Sequence, residues 1–169
     1  MDLVDRNVGG CRGQGLQSYL PKDEHFPQFG TPHRIDKNGG SWMARRKSDG
    51  AQFIVRVSLS ATLADALKLA SDTVTVGNQA ALPGQKAVFS TSSPITNRPV
   101  GDAYWIGARD VHRIVGTAHI VIRSGNYVYV GILVKVGRKK GGWADPKPIT
   151  QEDMKLLEDL ILDGIHQTR

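Results

Sequence analysis

Apolar and polar residues alternate most regularly in two places. In Gln52 to Leu59 (QFIVRVSL), Phe53, Val55, Val57 and Leu59 fall on one side, and Gln52, Ile54, Arg56 and Ser58 on the other. That is the period of a half-buried strand. The longer stretch Ile114 to Val136 reads as two β-branched arms around Ser124-Gly125-Asn126, a hairpin signature. A three-residue loop pairs Ile122 with Val128, Ile120 with Val130 and Ala118 with Ile132, leaving one apolar face. The other face then carries His119, Arg123, Tyr127 and Tyr129. A two-residue loop mixes these sets, because a slip of one residue moves every side chain across the sheet. The three-residue loop is therefore expected, with Asn126 in the left-handed conformation that Asn tolerates.

Two segments change to a helical period. After the first strand, Thr62 stands three residues before Asp65 as a cap, and Leu63, Ala66, Leu67 and Ala70 make a small aliphatic stripe over about 61–72. Near the end, Thr150 and Asp153 form a capping box, with Ile149 placed to pack on Met154. Met154, Leu157, Ile161 and Ile165 supply the buried stripe of a helix over 151–166. Its acids, Glu152, Asp153, Glu158, Asp159 and Asp163, are expected to face water.

The remaining segments have weaker periods. Residues 1–50 hold eight glycines and three prolines with no sustained period, and read as an extended Gly/Pro-rich arm with one strand near Ser41 to Ala44. Residues 51–169 then form a single domain. Short strands are expected at Val74 and Val76, at Lys86 to Ser90 and at Ala103 to Ala108. Alternation sets Tyr104 and Ile106 opposite Trp105. Gly137 to Pro148 reads as a basic, mobile loop. These elements describe an α+β fold: an antiparallel sheet around the 114–136 hairpin, one face covered by both helices and the other partly wet.

Composition narrows the classes. A chain of 169 residues with 40% hydrophobic and 22% charged residues suits one globular domain. No apolar run is long enough for a membrane span, and the opening MDLVDRN shows no leader. Cys11 is the single cysteine, which excludes an intramolecular disulfide. The formal net charge of +6 tilts mildly toward acidic partners.

The segment V-G-D-A-Y-W-I at Val100 to Ile106, then I-V-I-R-S-G-N-Y-V-Y-V at Ile120 to Val130, then a closing amphipathic helix, resembles bacterial exported domains of unknown function. Their arrangement is similar to PsbP-like and small-lipoprotein sensor folds. The resemblance covers about Gln52 to His166 and implies an extracytoplasmic binding or structural role; a native start at Met1 would instead place the chain in the cytoplasm.

Catalytic chemistry finds little support. The five histidines, His25, His33, His112, His119 and His166, have no ligand spacing, so no metal or cofactor is expected. No G-x-S-x-G is present, and no acid pair stands out for proton transfer. The expectation is a non-enzymatic domain recognising a protein, peptide or small ligand on a sheet face or edge, where exposed edges also allow a homodimer. Its candidate contacts are Trp42, Arg45, Arg46, His119, Arg123, Tyr127, Tyr129, Arg138, Lys139, Lys140 and Trp143. The alternative is a nucleic-acid module, in which Arg138, Lys139 and Lys140 supply charge and Trp143 a stacking ring, echoed by Trp42, Arg45 and Arg46.

Overall fold

The computed structural model describes residues 16–35, 40–79, 87–90, 103–109, 116–138, 144–147 and 149–166. Two 3-10 turns, Leu16–Tyr19 and Asp23–His25, precede strands β1 (His33–Ile35), β2 (Gly40–Arg45) and β3 (Gln52–Leu59). Helix α1 (Leu63–Gln79) follows, then β4 (Ala87–Ser90), β5 (Ala103–Arg109), β6 (Gly116–Ser124), β7 (Tyr127–Arg138), β8 (Ala144–Pro146) and helix α2 (Gln151–His166). All pairings are antiparallel, in the order β1-β2-β3-β7-β6-β5-β4, with β8 paired to the end of β7. The α+β class with its central hairpin is therefore as expected.

Both helix caps form as the residues predict. Thr62 Oγ1 accepts from the Asp65 N–H at 3.1 Å. Thr150 Oγ1 accepts from the Asp153 N–H at 3.1 Å, and the Asp153 carboxylate accepts from the Thr150 N–H at 2.9 Å. Among the described residues, no helix is long and apolar enough to cross a membrane.

The hairpin register differs from the expected one. Ser124 lies opposite Tyr127, Ile122 opposite Tyr129 and Ile120 opposite Gly131, so the loop is the two residues Gly125 and Asn126. Gly125 takes a φ of +58°, the conformation that a two-residue hairpin turn requires and glycine adopts without penalty. The parity argument fails because both faces of this ribbon are covered. Ile120, Ile122, Tyr129 and Leu133 pack under α2 residues Leu157, Leu160 and Ile161. Val121, Val128 and Val130 pack on the other face, under Ala66 and Ala70 of α1. With apolar residues at both parities, hydrophobicity alone cannot choose between the registers. The helices thus lie on opposite faces rather than together on one.

Other corrections follow from packing. Helix α1 runs through Val74 and Val76, where a strand was expected; neither glycine nor proline interrupts it between Thr62 and Val76. Of its predicted stripe only Ala66 and Ala70 are buried, while Leu63 and Leu67 are exposed. Alanines permit a close approach to the valines beneath. The described part of the first fifty residues is not an arm outside the domain. Leu16, Leu20, Phe26, Phe29, Trp42 and Ala44 belong to the same core as Phe53 and Leu157. Asp153 and Glu158 are buried rather than solvated. Part of the expected basic loop is strand β8, opposite Val136 to Arg138.

Candidate functional site

The residues expected to share one wet sheet face are divided between two covered ones. Tyr129 is 1% exposed, and burial pushes its hydroxyl above the usual tyrosine range. Tyr127 stacks on Tyr19 with ring centroids 4.3 Å apart, and its hydroxyl meets that of Tyr19 at 2.6 Å. Burial, then the Tyr19 hydrogen bond, raises Tyr127 to about 12. Arg123 and His119 sit at the opposite parity. Arg123 is 8% exposed and donates to the Gly125 carbonyl at 3.1 Å, while His119 is half-buried opposite Ile132. These four side chains do not form one open surface.

Trp42 is also held in the interior, and Arg46 is half-buried. Trp42 is fully buried, its indole N–H donating to Asp23 at 3.2 Å and its ring meeting Phe29 edge-on at 5.3 Å. Arg46 lies 5.2 Å above the Phe53 ring and donates to Asp49 at 2.6 Å and to Asp153 at 2.8 Å. The Asp49 hydrogen bond, against the cost of burial, holds the guanidinium charged, and Arg46 in turn lowers Asp49. Lys135 donates to the other Asp153 oxygen at 2.7 Å. Burial would raise Asp153, but Lys135, the Thr150 N–H and Arg46 outweigh it and hold the carboxyl at about 2. This cluster ties the β2–β3 turn and β7 to the start of α2. Arg138 ends β7 opposite Ala144. Lys139, Lys140, Trp143, His112 and Cys11 lie outside the described residues.

Arg45 remains, exposed, and it borders a concave surface formed by described residues. The chain from Gln28 to Ile35 runs along the outer side of β2. Phe29 bridges to Arg46, and His33 pairs with Met43. Three residues, Gly30, Thr31 and Pro32, therefore stand opposite two, Ala44 and Arg45. That is a bulge of one residue, closed by hydrogen bonds from the Gly30 N–H to Arg45 O (2.9 Å) and from the Lys47 N–H to Gln28 O (2.9 Å).

A cavity opens on each side of this bulge. One, of about 480 Å³, is lined by Phe26, Pro27, Phe29, Pro32, Asp23 and Lys47. It lies on the α2 side, since Phe29 packs on Trp42 and Phe53. The other, of about 380 Å³, is lined by the side chains of His33, Met43, Arg45 and Gln52 and borders Ala44. Register places those four on the opposite parity to Trp42 and Ala44. Gly30 and Thr31 border both cavities. Asp23 is already engaged by Arg34 and Trp42. Arg45 and Lys47 are exposed and make no ion pair among the described residues.

Of the expected contacts among the described residues, only Arg45 lines this cleft. The rest of it lies in a segment without period, where Phe26 and Phe29, interleaved with Pro27 and Pro32, are the available signal. No three His, Cys, Asp or Glu side chains converge among the described residues; the half-exposed His25 ring meets the Asp163 carboxylate at 2.7 Å. No protein-family model, curated protein or solved structure matches the chain.

Proposed function

We propose that the protein is a non-enzymatic binding domain whose ligand site is the bulged edge between Phe26 and Ile35, together with Arg45 and Lys47. The observation that carries this reading is the pair of cavities sharing the Gly30–Thr31 rim. Bulges next to binding sites re-aim side chains and interrupt pairing, and concave surface with a few polar groups on an apolar floor suits a ligand. The sheet faces serve this role poorly, because the hairpin is covered on both. The extracytoplasmic setting that the resemblance implies belongs to the same proposal.

A nucleic-acid role is less well supported. Trp42, one of its two stacking rings, is fully buried and cannot meet a base. The proposal is tested by soaking crystals with a library of small aromatic and carboxylate fragments. Fragments are expected in one or both cavities beside Gly30 and Thr31. Fragments seated only on α1 or on the sheet, with both cavities empty, would refute the reading.

A further inference from the structure

Resting on that reading, we infer that the cleft takes an extended acidic polypeptide segment. Its main chain runs beside β1, one apolar side chain enters the cavity walled by Phe26 and Phe29, and the adjacent acidic residue faces Arg45 across the sheet edge. Three observations support this occupant. First, β1 is an edge strand, paired among the described residues only with β2. Alternate main-chain groups of an edge strand point outward and can receive another strand. Second, the two cavities lie on opposite faces of the sheet. Successive side chains of an extended peptide also point to opposite faces, so neighbouring residues fit them together. Third, the cavities differ in chemistry: one has an aromatic and proline wall, the other Arg45, His33 and Gln52.

The edge itself limits the length of the ligand. Pro32 has no N–H, and the bulge takes Gly30 to Pro32 out of register. The open ladder is therefore the three residues of β1, too short to template further strands. Specificity comes from the two cavities instead. A second copy is a poor occupant, since its own edge brings Arg34, Arg45 and Lys47 against the same residues. A chain of formal net charge +6 also repels itself.

The test is fluorescence anisotropy on the full chain with labelled hexapeptides. Thr-Thr-Phe-Glu-Thr-Thr places its aromatic and acidic residues on opposite faces. Thr-Phe-Thr-Glu-Thr-Thr, of the same composition, places them on one face. The first is expected to bind at least ~10-fold more tightly, the equivalent of one charge-assisted contact. Replacing its Glu with Lys should abolish binding. Arg45→Glu and Lys47→Glu should each weaken binding about tenfold without moving Tm, since both side chains are exposed.

Equal affinity for the two spacings, or indifference to Arg45→Glu, overturns the inference. If fragments occupy the cleft in crystals while every peptide fails to bind, the peptide assignment falls and the binding site stands. If neither binds, the reading of the site falls with it. Dimers by sedimentation that the peptide dissociates would make a second copy the occupant and also overturn it.

Discussion

Replacing Asp153 with Asn keeps the shape of the side chain and removes its charge. In the native protein that carboxylate is 4% exposed, with Arg46 Nη1 at 2.8 Å and Lys135 Nζ at 2.7 Å. Its pKa falls from 3.8 to about 2. Roughly two units correspond to ~2.5 kcal/mol of stability at neutral pH. Asn leaves Lys135 without its anion and Arg46 with Asp49 alone, and losing one member of a buried pair costs about 3–5 kcal/mol. Retention of an acceptor for the Thr150 N–H sets the expectation nearer the lower end, ~3 kcal/mol. A group whose pKa is depressed by folding contributes stability above its unfolded value, and that stability is lost as pH falls through the folded value. Urea denaturation of both proteins should thus give their full difference at pH 7. The gap should then shrink between pH 3.8 and about 2. Asp49 also has a lowered pKa, but it is present in both proteins and largely cancels. A difference below ~0.5 kcal/mol at pH 7, the scale of an exposed pair, or one independent of pH, would refute the reading of this cluster.

Two further outcomes follow from the packing of the N-terminal segment on α2. Helix propensity alone makes Gly164→Ala stabilising by about 1 kcal/mol. A Cβ there, however, would lie 2.1 Å from the Tyr19 carbonyl oxygen. The variant should lose stability by ~1–3 kcal/mol or more in thermal melts, as overpacked cores do; a rise in Tm would contradict the docking of residues 16–29. Tyr127 is raised to about 12 and Tyr129 further. Groups whose pKa folding raises contribute fully below their unfolded value, near 10 for tyrosine. Stability should therefore fall as pH rises from about 10 towards 12, with less of a fall in Tyr127→Phe, as followed by circular dichroism.

The legibility of the sequence differed from element to element. Strand β3 and the start of α2 were readable because one covering layer produces a clean period and a capping box is a local signal. The hairpin register was not, because Val121, Val128 and Val130 under α1 match in hydrophobicity the Ile120, Ile122 and Leu133 under α2. Glu158 and Asp153 looked like a solvated face since their burial depends on distant groups. For Asp153 these are Arg46 and Lys135, 107 and 18 residues away. The aromatic candidates were misplaced for a related reason: composition identifies Trp42 and Tyr129 as rings, but only the fold shows that they are core. The cleft depends on a one-residue bulge, and a bulge leaves no period to read.

The most direct measurement is two-dimensional NMR of the 15N-labelled chain titrated with Thr-Thr-Phe-Glu-Thr-Thr. The account predicts shifts concentrated at Gly30, Thr31, His33, Arg34, Met43 and Gln52, with the amides of Val121, Arg123 and Val128 unmoved. Shifts centred on those three hairpin residues, with the bulged edge silent, would show that the sheet face is open to ligand and would contradict it.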